Sequence, residues 1–297
     1  MSEPIHSTVT VDGLRLAYTD WGGSGRNIVL LHGLNSSRQI WDMVVRLLGQ
    51  KWRVLAPDMR GHGDSDKPDE GYDISAFASD LHGFLTALEV SNPLLVGHSL
   101  GAIVVAEYGK TYPSVPCGLV FVDGIIPPAP PPEAREKILD DFARLVVDGI
   151  TLKELKEELR SRPMGKFMTS EIETIMFRTF ESLPDNTWRT KLGRANAKKI
   201  LTALWNHDLM AVFPKIRKPV VIMPARDRRD PARSRSDSQK EERVSEACRL
   251  IRTCKIVWVE NSSHSVTLEH PEVIATTLQT NVEAGFFGPD AIRDGSS

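Results

Sequence analysis

A chain of 297 residues with 41% hydrophobic and 26% charged residues and a formal net charge of -2 has the composition of an ordinary globular protein, which excludes disorder as its main state. The near-neutral balance gives no basic face for a nucleic-acid backbone. No stretch reaches the roughly 18 consecutive apolar residues of a membrane span, and residues 1–18 lack a basic start followed by an apolar run, so the sequence predicts a cytoplasmic protein with neither nucleic acid nor membrane as partner.

From residue 8 to 18 apolar residues alternate around Asp12-Gly13, a dipeptide that tolerates the positive φ of a tight hairpin. Short apolar runs follow at 27–31, 53–56, 93–96, 117–122, 220–223 and 256–259, and runs apolar on both faces predict central parallel strands. Helical periodicity lies between them at 40–48, 74–88 and 102–112, and after the last at 271–282. Strand and helix in alternation mean a parallel sheet covered by helices. The alternation breaks between 126 and 218, where a proline-rich exit at 127–132 opens an insertion that reads as all-helical, and the core is expected at 1–125 and 219–297. Within the insertion, Ile138, Phe142, Leu145 and Val146, and again Ile172, Ile175, Met176 and Phe180, recur at three-to-four spacing and predict packing faces that could also line a pocket. The mixed charge run at 226–243 predicts a solvated loop leading into a helix. Three cysteines, Cys117, Cys248 and Cys254, are too few and too irregular for a disulfide framework or a four-ligand zinc site and read as reduced thiols.

The strongest chemical signal is Gly97-His98-Ser99-Leu100-Gly101, directly between the strand PLLV and the helical pattern AIVVAEYGKTY. At so sharp a turn glycines two before and two after the serine relieve crowding, and the Ser99 hydroxyl would stand above the sheet. A serine hydroxyl needs a base, and the base needs a carboxylate to hold its tautomer. Asp227 follows the strand at 220–223 and His264 follows the strand at 256–259, so the chain order Ser99, Asp227, His264 is nucleophile, acid, base. Asp230 and Asp123 stand at other places from which the histidine could be reached. Backbone N–H groups of Leu100, after the nucleophile, and Leu34, after His32-Gly33, could hold an oxyanion. Four other histidines have structural readings: His32 and His62 brace loops, His98 turns sideways into the elbow, and His270 precedes a helix start. No histidine–carboxylate cluster has metal-ligand spacing, and no GxGxxG follows a strand, so neither metal nor nucleotide cofactor is expected.

Taken together, LHG at 31–33, DMRGHGDSDKP at 58–68, GHSLG at 97–101, PARDRRDP at 224–231 and SSH at 262–264 resemble the α/β-hydrolase superfamily over nearly the whole chain. The resemblance implies an eight-stranded, mostly parallel sheet flanked by helices, with a helical cap at 126–218 inserted after strand six. It also favours Asp227, four residues before Pro231, as the acid. The function it implies is a serine hydrolase cleaving a small or medium-sized carboxylic ester. Lactonase, carbon–carbon bond hydrolase and cofactor-free haloperoxidase or perhydrolase chemistry are alternatives that use the same machinery.

Overall fold

The computed structural model describes residues 3–125, 128–144, 146–227 and 234–288. In chain order the first half carries β1 (Ile5–Val11), β2 (Leu14–Asp20), β3 (Arg26–Leu31), α1 (Asp42–Leu48), β4 (Trp52–Pro57), α2 (Ile74–Ala87), β5 (Leu94–His98), α3 (Leu100–Thr111) and β6 (Gly118–Val122). An insertion follows with α4 (Pro132–Arg144), α5 (Leu152–Ser161), α6 (Ser170–Phe177), β7 (Phe180–Ser182), β8 (Trp188–Thr190) and α7 (Arg194–Asn206). The chain then returns through α8 (Leu209–Val212), β9 (Val220–Met223), β10 (Ala225–Arg226), α9 (Ser234–Leu250), β11 (Cys254–Ile256), β12 (Val259–Glu260), α10 (Val266–Glu269) and α11 (Pro271–Glu283).

Eight strands form one sheet in the order β1-β2-β4-β3-β5-β6-β9-β11. Only β2 runs against its neighbours; from β4 through to β11 every pairing is parallel. The first hairpin turns at Asp12 (φ 48) and Gly13 (φ 82), as the positive-φ preference of that dipeptide predicts. Central strands are apolar on both faces because helices cover both: Leu95, Leu119 and Ile222 face the α2–α3 side, whereas Val96, Val120 and Val221 face the α1–α11 side.

Three sequence expectations change. The insertion is not all-helical, because Phe180 and Trp188 belong to a short antiparallel hairpin, β7 with β8. Its turn is set by Asp185, whose Oδ1 accepts from the Thr187 N–H at 3.0 Å, and by Asn186 at φ 63, so the helical period ends at Phe177. The strand expected at 256–259 is two short pieces, β11 beside β9 and β12 beside β10. Finally, Cys248 and Cys254 are joined as a disulfide, not reduced: the turn between α9 and β11 brings their Cα atoms to 5.4 Å. Cys117 is a buried free thiol. Among the described residues no helix is long and apolar enough to cross a membrane.

Candidate active site

Ser99 sits between β5 and α3 with φ 53 and ψ -118, a backbone state that a non-glycine residue adopts only under constraint. The constraint is close packing of strand and helix. A Cβ at Gly97 would lie 2.2 Å from the Gly101 carbonyl carbon, and one at Gly101 would lie 2.4 Å from the Leu31 carbonyl oxygen, so both positions exclude any side chain. The Ser99 N–H donates to the Val122 carbonyl at 3.0 Å and ties the turn to β6.

The hydroxyl is 2.9 Å from His264 Nε2, and His264 Nδ1 is 2.7 Å from Asp123 Oδ2. The acid that His264 Nδ1 meets is therefore Asp123, at the end of β6, where the sequence reading favoured Asp227. The register explains the change: Val122 pairs with Met223, which sets Asp123 beside Pro224, and Ala225 N–H donates to Asp123 Oδ1 at 3.0 Å. Beyond that point the chain continues as β10 along β12, carrying Asp227 past the end of β9. Asp230 lies outside the described residues. Burial of Asp123 raises its pKa, but the hydrogen bond from His264 and the charge of Lys240 outweigh this and hold it far below the usual carboxylate range.

Two further contacts fix the base. His98 Nε2 lies 2.8 Å from the His264 carbonyl oxygen, a geometry in which that nitrogen carries the proton and donates. Glu269 Oε2 accepts from the Ser263 N–H at 2.7 Å, holding the loop before His264. Burial lowers the pKa of His98 to about 4, so it stays neutral at pH 7. His98 is thus a brace for the base, a role its place next to the nucleophile does not announce.

The loop carrying Leu34 is built in the same way. His32 Nδ1 pairs with the Gly33 carbonyl oxygen at 2.8 Å and its Nε2 accepts from the Met59 N–H at 3.0 Å, linking the 32–35 loop to the 58–65 loop. There Asp58, fully buried, accepts from the Arg38 N–H at 2.7 Å and forms an ion pair with the Arg38 guanidinium. His62 Nδ1 is 2.9 Å from the Arg60 carbonyl oxygen. Both loop-bracing readings therefore hold. A Cβ at Gly33 would come within 3.1 Å of Ser99 Cβ, so the loop packs directly against the nucleophile. Leu34 borders the cavity above Ser99, and Leu100 opens α3 with its side chain in the core.

That cavity encloses about 440 Å³ between the sheet and the insertion. Ser99, His264 and Asn35 form its floor, and Phe142, Ile175, Met176 and Phe180 from the insertion form its apolar roof. The two apolar stripes read from the sequence thus contribute to the site as well as to packing. Part of the charge run is also not solvated: Arg226 pairs with Glu260 and Glu241 and stands over the Trp258 ring at 4.4 Å. Among the described residues, no group of histidine, cysteine and carboxylate side chains could hold a metal ion.

A parallel sheet with a single reversed strand, a strained serine between strand and helix, and a serine–histidine–aspartate chain at the strand ends define an α/β-hydrolase architecture. Residues 28–277 match the alpha/beta hydrolase family, and the chain belongs to that family. A segment of 113 residues, 38% of the chain, is 37% identical to an uncharacterised protein of Mycobacterium tuberculosis and spans 33% of that protein's length. A 2-(acetamidomethylene)succinate hydrolase of Mesorhizobium japonicum is 25% identical over 88% of this chain and 90% of its own. A non-heme chloroperoxidase of Streptomyces lividans is 26% identical over 94% of this chain and 99% of its own. The solved structure of E-2-(acetamidomethylene)succinate hydrolase superimposes with a TM-score of 0.78 at 22% identity, covering 95% of this chain and 100% of that one, which shows a shared fold.

Proposed function

We propose that this protein is a serine hydrolase that cleaves a small or medium-sized carboxylic ester through an acyl-enzyme on Ser99. The observation that carries the reading is the continuous chain from Ser99 Oγ through His264 to Asp123, with spacings of 2.9 and 2.7 Å. Ser99 Oγ bonds to the ester carbonyl carbon while its proton passes to His264 Nε2. The carbonyl π electrons move to oxygen, and the N–H groups of Leu34 and Leu100 hold that oxyanion. Collapse expels the alcohol, which takes the proton from His264. Water then repeats the sequence, giving its proton to His264, releasing the acid and restoring Ser99. Asp123 stays ionised throughout and orients the imidazole with Nδ1–H toward itself. The insertion acts as the cap of the site, and its apolar side chains favour a substrate with a hydrocarbon body.

The relationship to a chloroperoxidase over nearly the full chain favours a second reading, in which hydrogen peroxide replaces water as the attacker of the acyl-enzyme and a peracid leaves. Both readings are tested together. Hydrolysis of 4-nitrophenyl esters from acetate to palmitate should be abolished by Ser99→Ala, and a fluorophosphonate probe should label Ser99. Chlorination of monochlorodimedone in acetate with peroxide and added chloride, which the peracid oxidises to hypochlorite, reports the second activity. A Ser99→Ala protein with undiminished ester turnover would refute both.

A further inference from the structure

A second space backs on to the cavity above Ser99. It is an open groove of about 700 Å³ on the outer side of the insertion, bordered by Leu152, Thr174, Phe177, Phe180 and Trp188 among others. Among the described residues, Phe180 is the one that borders both this groove and the cavity of about 440 Å³ that holds the nucleophile. The helical step explains how the two come to lie back to back. Successive residues of a helix turn by about 100°, so Ile175 and Met176, which border the inner cavity, share one side of α6, and Thr174 and Phe177, which border the outer groove, share the other.

Phe180 stands where α6 has ended and β7 begins, and it is 5% exposed. It belongs to an apolar cluster with Leu155 and Leu159, against which Met176 packs from the inner lining and Phe177 and Trp188 pack from the outer one. The Phe177 ring centroid is 6.4 Å from that of Phe180 and 5.4 Å from that of Trp188. The groove is thus apolar where it meets Phe180, and Leu152 adds a large apolar side chain that is 43% exposed. Charge is kept to its edge, where Lys156 and Glu173 pair with each other at 2.9 Å. Two apolar spaces that meet at one aromatic side chain have the character of a hydrocarbon track interrupted at that residue.

We propose that Phe180 sets the upper limit on substrate length: acyl groups contained within the inner cavity are accepted, and longer chains, whose continuation would lie in the groove between Phe177 and Trp188, are refused. The physical basis is apolar burial. Each methylene that enters an apolar space gains about fourfold in binding, and the Phe180 ring withholds that gain from every methylene beyond it. This limit rests on the proposed hydrolase reading for the bond that is cleaved, but not for the fit of the hydrocarbon.

The test separates the two. In the wild type, kcat/KM should be lower for 4-nitrophenyl laurate than for the butanoate. In Phe180→Ala, which joins the two spaces, the laurate-to-butanoate ratio should rise at least about tenfold. Phe180→Leu, which keeps the cluster filled with an apolar side chain, should give an intermediate ratio and carries the test if Phe180→Ala does not fold, whereas Phe180→Trp should lower the ratio. A side chain that only packs the insertion would change both esters alike. Binding is read without any ester: 12-bromododecan-1-ol should bind Phe180→Ala at least about tenfold more tightly than the wild type and quench indole emission through its bromine, and the quenching should disappear when Trp188→Phe is added. The short 4-bromobutan-1-ol should not distinguish the proteins. Bromododecanol affinity that does not change with residue 180 overturns the proposal, and ester turnover alongside that result leaves the hydrolase reading intact. A wild type that hydrolyses laurate as readily as butanoate, or a ratio that residue 180 does not alter, also overturns it. Affinity that depends on residue 180 without turnover of any ester leaves this inference standing and removes the hydrolase reading.

Discussion

Lys240 of α9 and His264 hold opposite oxygens of one buried carboxylate: Lys240 Nζ donates to Asp123 Oδ1 while His264 Nδ1 meets Oδ2. Lys240 also donates to the Ala225 carbonyl oxygen at 2.7 Å, so the ammonium is pinned to β10 and cannot swing away. The lysine neutralises part of the charge that would otherwise stabilise the imidazolium formed in the reaction. Lys240→Met should therefore move the acid limb of the kcat/KM profile to higher pH. Lys240→Arg should restore the limb. A purely structural lysine would change stability and leave the profile in place, so the pH dependence of ester hydrolysis decides between the two roles.

Asp123→Asn keeps the shape of the acid but removes the charge that selects the Nδ1–H tautomer. By comparison with the same change in other serine hydrolases, kcat should fall by about 10³ to 10⁴. Asp227→Asn should change kcat by no more than about threefold, because the described contacts of His264 Nδ1 run to Asp123. Reversal of the two effects would mean that the catalytically competent acid lies after β9 and not after β6. Steady-state kinetics of both variants on one ester settles the matter.

The contrast between these two aspartates marks where the sequence is informative. Ser99 is legible because everything that makes it an elbow is local: the strand before, the helix after and Gly97 and Gly101 on either side. His264 is legible because it follows the last strands in the expected order. Choosing the acid requires knowing that β6 lies beside β9 in a register that pairs Val122 with Met223, and that relationship joins residues 141 positions apart, Asp123 and His264. No local pattern encodes it. The β7–β8 hairpin was hidden for a different reason: each strand has three residues, too few for an alternating pattern to stand out against the helical spacing of Ile172, Ile175 and Met176. Lys240 and Arg226 were hidden within a charge run whose average composition reads as solvated. The helix-covered parallel sheet was largely legible, because its helices and central strands are long or strongly apolar and their alternation admits few topologies, while the count of eight strands came from the family resemblance.

Three fully buried histidines should make the fold acid-labile well above the range in which carboxylates titrate. Burial lowers His32 and His98 to about 4 and His62 to about 3, from 6.5. In that interval the unfolded chain binds protons that the folded chain refuses, so the stability these groups contribute is present above pH 6.5 and is lost as pH falls toward 4. One pKa unit corresponds to about 1.4 kcal/mol, which makes the loss on the order of 3 kcal/mol for each of His32 and His98. Asp42, pushed up to about 6 by burial, acts in the opposite sense and offsets part of it. Depressed carboxylates such as Asp123 lose their contribution only at lower pH. Urea midpoints should fall steadily from pH 7 to 4.5, and His62→Gln should flatten that slope; a midpoint independent of pH across this window would contradict the buried neutral histidines.

The Cys248–Cys254 bridge makes a stoichiometric prediction. Denatured protein prepared without reductant should expose one thiol per chain to a disulfide-exchange reagent, that of Cys117, and three after reduction. Folded protein should react slowly at Cys117, because the thiol is buried and burial raises its pKa, disfavouring the thiolate. The bridge spans a sequence separation of 6, so loop-closure entropy limits its stabilisation to about 2 kcal/mol. Reduction should lower the unfolding midpoint modestly while leaving ester turnover intact, since the bridge ties α9 to β11 at the edge of the sheet, away from the strand ends that carry Ser99 and Asp123. Three reactive thiols in unreduced denatured protein would show instead that the pair is reduced in solution, as the sequence alone suggested.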